Sequence, residues 1–466
     1  MDRIGLICRY IKEDPRSTQR DLAQKTGFSV GTVNTLIKEA MQQRLIAQGK
    51  SVAGTYELTG AGDAFLEQFQ VNGALIIAAG FGSRFVPLTF ETPKGLLEVF
   101  GERMIERQIK QLHEVGITDI TIAVGYLKEK FEYLVDKYQV KLLYNPEYAT
   151  KNTLTTIYRA LQVLAGKNMY ILSSDNWLRN NMFHAYECGA WYASSYMEGD
   201  TSEWCLSYNK KGRITHVEVG GHDSWVMYGP VFFSRTFSEK FLPLLERYYH
   251  TPGTEQFYWE NVLMEHLDEL EIDINRQPEN QIYEFENLEE LRRFDPRYQN
   301  HSDNTALELV SRVFELPESE IHDIRCLKSG MTNKSFLFRT GDHHCICRIP
   351  GPGTELLINR EQEKEVYSKY DRVIAVSKSV KEAFEKKFEL PAQVVYNALD
   401  EKEIERKTLL FEGNPKSEEI TRLISIGRLE KVKGFERLIE AFAELIKETP
   451  NVELYLVGDG SERRGL

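Results

Sequence analysis

The amino-acid sequence predicts an α/β protein built on a mixed, mainly parallel sheet, with a small helical module before it and two shorter strand-containing segments after it. Three observations predict this. Between residues 71 and 298 short apolar runs alternate with amphipathic helical stretches, the pattern of strands covered on both faces by crossover helices. The apolar run 74–79 stops at a glycine-rich turn, as strands do where a sheet of this kind presents ligands. Residues 1–70 instead carry three closely spaced helix patterns and then a hairpin pattern.

A chain of 466 residues is too long for one ordinary core and divides by texture into four segments: 1–70, 71–298, 299–369 and 370–466. With 42% hydrophobic and 27% charged residues it is globular material. Its net charge of −12 argues against a chain that coats nucleic acid throughout, and leaves room for one small DNA-binding module. No apolar run is long enough for a bilayer, and the first residues lack the apolar core of a secretion signal. The six cysteines are scattered, and Cys345 and Cys347 do not have a zinc or redox spacing. Free thiols in a cytoplasmic protein are the expectation.

In the first segment, RIGLICRYIKE has apolar residues at helical spacing, Ser17 or Thr18 can cap RDLAQKTG, and Ser29 can cap VGTVNTLIKEAMQQRL. Val33, Leu36, Ile37 and Ala40 form the buried stripe of that third helix, which turns Thr32, Asn34, Thr35 and Lys38 outward. LIAQGKSVAGTYELT then reads as a hairpin. Helix, helix–turn–helix and β-wing together look like a winged-helix domain. Nine Lys and Arg stand against six Asp and Glu in its first 60 residues, a basic bias that fits DNA contact. Dimerisation or packing against the next domain is the alternative use.

The stretch LIIAAGFGSRFVPLTFETPKGLLEV holds the main chemical signal. Gly80 and Gly82 let the backbone turn and approach a ligand closely. Successive N–H groups at such a turn form a nest for phosphate oxygens. Arg84 adds a bidentate partner for phosphate, and Pro93 leads into Lys94, a compact cation that reaches a phosphate from the other side. A nucleoside triphosphate fits all of these.

This stretch resembles the signature of nucleotidyltransferases of the sugar-nucleotide pyrophosphorylase type, and the resemblance extends over 71–298. It implies a Rossmann-like domain. It also implies that Ala79, Gly80, Gly82, Ser83 and Arg84 hold the triphosphate while Lys94 contacts phosphate near the reacting centre, which makes Arg84 and Lys94 the catalytic pair. Nucleotidyl transfer needs a cation to neutralise charge on the α-phosphate and the leaving pyrophosphate. Mg²⁺ is the expected cofactor, with Asp175 at the end of the apolar run NMYILSSDNW as one ligand. Glu260 of FYWEN is expected as the second carboxylate, although the related sequences carry aspartate there.

All five tryptophans, 177, 191, 204, 225 and 259, fall in this segment. Aromatic faces attract a quaternary ammonium; the same rings also serve as ordinary core. SEWCLSYNKKGRI, FYWEN and SSDNW resemble the phosphocholine cytidylyltransferases of bacterial choline-decoration pathways. That resemblance nominates Trp204, Tyr258 and Trp259 for a choline pocket and implies CTP and phosphocholine as substrates.

Behind it, LKSGMTNKSFLFRTGDHHCICRIPGPGTELLINREQEKEVY resembles the start of a choline-kinase-like fold. Arg348 would stand there in the place of the kinase lysine, with Glu361, Glu363 or Glu365 as its partner. No histidine follows His344, so the catalytic loop is missing and no kinase activity is expected. LISIGRLEKVKGFERLIEAFAELIKETPNVELYLVGDG resembles the nucleotide-binding half of a GT-B glycosyltransferase. Gly427, Arg428, Lys433 and Gly434 would lie at the donor diphosphate. The other half of that fold is missing, so no transfer activity is expected. Two further readings stay open for the whole chain: a sugar-1-phosphate nucleotidyltransferase, and a DNA-binding regulator whose nucleotidyltransferase-like domain senses a nucleotide. Whether the protein forms a homodimer is also open.

Overall fold

Strand β3, Gly73–Ala78, lies inside a seven-stranded sheet because its residues are apolar on both faces; Ala74, Leu75 and Ile76 are fully buried. The computed structural model describes residues 1–49, 54–299, 302, 304–329, 333–341, 343–350, 374–375, 378–391, 393–394, 421–426 and 435–457. The strands run in the order Asp273–Arg276, Trp191–Tyr208, Ile214–Phe233, Met169–Ser173, Gly73–Ala78, Ile120–Val124 and Lys141–Tyr144. Four of the six pairings are parallel and two are antiparallel, the mixed and mainly parallel sheet expected for 71–298. Apolar layers cover both faces. One includes Leu75, Ile171, Phe233, Phe241 and Trp259, and the other includes Ile76, Ile109, Ile122, Phe131 and Trp191.

Ahead of the sheet, α1 (Arg3–Glu13), α2 (Gln19–Thr26) and α3 (Val30–Gln42) form the helix–turn–helix. The two strands that precede β3 in the chain, β1 (Ile46–Gln48) and β2 (Tyr56–Leu58), pair antiparallel as the wing. Thr18 caps α2 in a capping box with Asp21, and Gly27 closes it at φ +70°. Ser29 caps α3, whose buried residues are Val33, Leu36, Ile37 and Ala40. The module docks on the larger domain through α1. Arg9 Nη1 lies 2.8 Å from Glu187 Oε2 with both side chains about 5% exposed or less, and Tyr170 donates its hydroxyl to the other oxygen of Glu187 at 2.8 Å. Burying a charge alone would be costly; this one is paired and its partner is hydrogen-bonded again. The outward side of α3 takes no part in that contact.

The chain forms two units, Met1–Thr354 and Glu355–Leu466. The boundary expected at 298/299 therefore does not separate two cores. Phe85, Val86, Leu88 and Phe90 pack in one cluster with Leu307, Val310, Ile321, Phe336 and Phe338. Asn304 caps the helix Thr305–Phe314 with its Oδ1 and donates its Nδ2 to the carbonyl of Pro87 at 3.2 Å. The polar composition of 299–305 concealed this, because the apolar partners lie on either side of it. The strands His322–Ser329, Asn333–Thr340 and His343–Pro350 follow as an antiparallel meander. Arg348 is on its last strand. Glu361, Glu363 and Glu365 lie outside the described residues.

In the second unit, Ile374–Ala375 pairs in parallel with Gln393–Val394, and the helix Lys378–Phe388 lies between them in the chain. Thr421–Ile426 pairs in parallel with Val452–Val457, with the helix Phe435–Glu448 between them. These are strand–helix–strand steps, as the alternation after residue 370 predicts. Gly427, Arg428, Lys433 and Gly434 lie outside the described residues. No helix among the described residues is long and apolar enough to cross a membrane, and no disulfide joins any of the six cysteines.

Candidate active site

The site forms where β3 and the parallel strand Met169–Ser173 end side by side. Ser174 N donates to Ile77 O at 3.0 Å, which sets residue 175 beside the turn that follows β3. Ala79 is buried, and its carbonyl accepts from Tyr126 N at 3.1 Å. Gly80 is exposed, and a side chain there would meet no atom within 4 Å, so the mouth of the turn is open. Gly82 has φ +66°, and a Cβ there would come within 3.0 Å of Thr89 and 3.3 Å of Lys94. Conformation and space both demand glycine. Thr89 Oγ1 donates to Gly82 O at 3.0 Å and ties the turn to the next segment. Ser83 and Arg84 sit exposed on the single turn Ser83–Phe85.

Lys94 and Asp175 meet directly. The ammonium is 2.6 Å from Asp175 Oδ2, with the side chains 11% and 23% exposed, and it lies 4.8 Å from the centre of the Phe85 ring. Burial opposes ionisation of Asp175, yet the Lys94 charge outweighs it and holds the carboxyl below its ordinary value. Gly95 makes this approach feasible, since a Cβ there would lie 2.5 Å from Ser174 Oγ.

A carboxylate that the sequence reading did not select stands beside Asp175. The short strands Asn176–Leu178 and Ile282–Glu284 pair antiparallel with Asn176 opposite Glu284, and Asn176 Nδ2 donates to Glu284 Oε2 at 3.3 Å. Burial, followed by the negative charge of Asp175, pushes the Glu284 carboxyl up to about 7. Two residues on, Glu286 is ion-paired with Arg84. The run IYEFEN already carried a signal: Glu284 and Glu286 alternate with apolar residues at strand period, which puts both acids on one face.

Glu260, the expected second metal ligand, lies in the first turn of the helix Trp259–Glu265. It accepts from the Tyr192 hydroxyl at 3.2 Å, its Oε2 is shielded from solvent with no hydrogen-bond partner, and burial pushes its carboxyl up to about 7. The negative charge of Glu284 adds to the effect of burial on Glu260, so Glu284 stands electrostatically between Asp175 and Glu260. Trp259 is 3% exposed, stacked on Tyr192 at 5.9 Å and set edge-on to Phe233 and Phe241. Its ring is packed into the core rather than exposed, unlike that of the other two residues expected for the acceptor pocket. Trp204 and Tyr258 stand together, edge to face at 5.7 Å, with Tyr258 46% exposed. They form an aromatic corner in which Trp204 is half-buried, and Tyr258 lies two residues before Glu260 in the chain.

The donor set suits a small hard cation. Asp175 and Glu284 are two neighbouring carboxylates, and among the described residues no third His, Cys, Asp or Glu joins them as a metal-binding group. Mg²⁺ takes one or two carboxylates and fills its remaining positions with phosphate oxygens and water. A cavity of about 510 Å³ lies elsewhere, bordered by Leu88, Leu97, Arg103, Arg297 and Asn304; it is behind the turn rather than at the chemistry.

Three stretches of the chain match known protein families. The family model described as Nucleotidyl transferase matches residues 73–193. One described as Winged helix-turn-helix DNA-binding matches 2–47, and Glycosyl transferases group 1 matches 406–466. A choline-phosphate cytidylyltransferase of Streptococcus pneumoniae is 34% identical over 229 residues, which are 49% of this chain and 99% of that protein. A 2-aminoethylphosphonate cytidylyltransferase of Lancefieldella rimae is 35% identical over 227 residues, 48% of this chain and 92% of that protein. The solved structure of the CTP:phosphocholine cytidylyltransferase from Streptococcus pneumoniae is 35% identical, covers 49% of this chain and 98% of its own, and superposes with a TM-score of 0.47. The chain belongs to the nucleotidyltransferase family. Within it, the relatives just named are cytidylyltransferases.

Proposed function

We propose that this protein transfers the cytidylyl group of CTP to a small phosphorylated amine, giving a CDP-linked amine and pyrophosphate, with phosphocholine as the first candidate acceptor. The observation that carries the reading is the meeting of Lys94, Asp175 and Glu284 at the open end of the glycine turn. The turn 79–84 takes the triphosphate on backbone N–H groups, and Arg84 exchanges Glu286 for phosphate oxygens. Lys94 is already aligned by Asp175 and stands where charge develops on the α-phosphate. Asp175 and Glu284 would hold Mg²⁺, which supplies charge neutralisation between the α-phosphate and the departing pyrophosphate. An oxygen of the acceptor phosphate forms a bond to the α-phosphorus while the bond from that phosphorus to the bridging oxygen of the β-phosphate breaks. The acceptor is ionised at neutral pH, so no general base is needed, and positioning supplies the rate.

The corner of Trp204 and Tyr258 is the proposed seat of the ammonium group. A 2-aminoethylphosphonate-type acceptor is the second reading, and Glu260 favours it. Its unpartnered Oε2 can accept a hydrogen bond from a primary ammonium, which a quaternary one cannot donate. Glu260 then serves the acceptor rather than the metal. The test is a panel of four nucleoside triphosphates, with Mg²⁺, against phosphocholine, 2-aminoethylphosphonate and glucose 1-phosphate, followed as pyrophosphate release. Turnover with CTP and an aminated acceptor supports the proposal; turnover with the sugar phosphate alone overturns it. The winged helix is proposed to bind DNA through the outer face of α3, where Val30, Thr35 and Lys38 are exposed and uninvolved in docking. Binding to duplex DNA that weakens steeply with salt would support this, and no binding at low salt would contradict it.

A further inference from the structure

We infer that the three-stranded meander after residue 320 completes the nucleotide site: its Arg325, with Arg293, forms a seat for the pyrophosphoryl end of the triphosphate. The inference rests on the proposed nucleotidyl transfer and assigns part of the site to a segment C-terminal to the stretch 73–193 that the family model matches.

Four observations carry it. The strand His322–Ser329 packs against the turn Ser83–Phe85, and the two share the core that holds Phe85 and Phe336. Between them is a pocket of about 220 Å³ lined by Arg84, Arg293 and Arg325 together with Asn287, Glu289 and Asp323. The charges in it do not cancel locally. Glu289 is held by Arg292 at 2.9 Å and Asp323 by Arg339 at 2.6 Å; Arg325 adds a longer-range charge to Asp323 and Arg293 Nε donates to the Glu289 carbonyl at 3.3 Å, but neither arginine forms an ion pair with a carboxylate among the described residues. Arg84 is shared with Glu286, and its five donors leave room for a second acceptor. Three guanidinium groups around one opening are a poor arrangement without an anion between them and a strong one with a polyphosphate, whose oxygens accept bidentate pairs.

The pocket is smaller than the roughly 300–1,000 Å³ of sites that enclose a whole drug-sized ligand, so it fits a diphosphate group rather than a complete nucleotide. Its position follows from Arg84, which borders both this pocket and the glycine turn. With the α-phosphate at Lys94 and the chain of phosphates running past Arg84, the β- and γ-phosphates arrive beside Arg325. The meander thereby gains a use within the nucleotidyltransferase site: it stiffens the turn from behind and adds cations to its far side.

The experiment is calorimetric titration of the full chain with inorganic pyrophosphate, CTP and CMP, for the wild type, Arg325→Gln and Arg293→Gln. Both arginines are exposed, and unchanged melting temperatures check that the variants fold. The expected result is a tenfold or greater loss of pyrophosphate affinity in Arg325→Gln, a smaller loss in Arg293→Gln, and unchanged CMP affinity. Saturation with a non-cleavable CTP analogue should block pyrophosphate binding, because both use one seat. Pyrophosphate affinity unchanged in the Arg293/Arg325 double variant, or pyrophosphate and the analogue bound together, would overturn the inference. Cytidylyl transfer by the wild type with such an unchanged double variant removes only this inference. Arg325-dependent pyrophosphate binding without any nucleotidyl transfer removes the proposed function and leaves the seat standing.

Discussion

Replacing Lys94 by alanine separates catalysis from folding at this site. The ammonium lies 2.6 Å from Asp175 Oδ2, and at an effective dielectric of about 20 that pair attracts by about 6 kcal/mol before desolvation is counted. Water reaches both groups in part, so the net loss is that of a charged hydrogen bond, about 1.5–3 kcal/mol. In a unit spanning Met1–Thr354 it lowers Tm by about 2–4 °C. The effect depends on pH. In the wild type, Asp175 is held below its ordinary value, so its contribution is present at neutral pH and lost as the pH falls. Without Lys94, burial and Glu284 remain and push the same carboxyl up, so the variant is penalised at neutral pH and relieved on acidification. The gap in Tm between the two proteins should narrow between pH 7 and pH 5, and added Mg²⁺ should raise Tm more in the variant, where two carboxylates have lost their cation. Turnover should fall by about 10²–10³, as for removal of one preorganised donor from a developing charge. Pyrophosphate release and thermal unfolding, measured on the same preparations, supply both numbers. A folded variant that turns over within tenfold of the wild type would refute the assignment, as would activity lost only in proportion to folded protein.

Other changes test the remaining parts. Trp204→Ala should raise KM for the aminated acceptor and leave that for CTP nearly unchanged; steady-state kinetics with each substrate varied would reveal an unaltered acceptor KM and exclude that ring. Glu260 has its carboxyl raised from 4.5 to about 7, so the stability it contributes is full below about pH 4.5 and is lost as the pH rises through 7. Glu260→Gln should remove that loss and gain on the wild type by about 3 kcal/mol at most between pH 5 and pH 8, read by urea unfolding at each pH. Phe336, fully buried in the core that also holds Phe85, should cost about 3–5 kcal/mol as Phe336→Ala and weaken CTP binding as well. Stability lost with CTP affinity intact would mean that the meander does not support the turn.

Much of the fold was legible because periodicity reports burial directly. The spacing of Val33, Leu36, Ile37 and Ala40 marked the inner face of α3, and the apolar run ending at Gly80 marked β3. Asp175 was legible because a polar residue directly after a buried strand has few places to go. Contacts made by distant pairing were not. Glu284 approaches Asp175 only because Ile282–Glu284 pairs with Asn176–Leu178, more than 100 residues earlier. Trp259 and Trp204 look alike in sequence, yet one is stacked into the core and the other is half-buried against the exposed ring of Tyr258. Composition does not encode that difference, which depends on where the helix Trp259–Glu265 packs. The core joining Phe85 to Phe336 was hidden by the polar residues between the two segments that form it.

The central claim is that the turn at 80–84 and the Lys94–Asp175 pair bring about cleavage between the α- and β-phosphates of CTP. The most direct measurement follows radiolabel from CTP labelled at the α- or the γ-phosphorus during a single turnover with phosphocholine or 2-aminoethylphosphonate. The account predicts α-label in the CDP-linked amine and γ-label in pyrophosphate. It is contradicted if γ-label appears on the acceptor or as free phosphate, or if neither label leaves CTP.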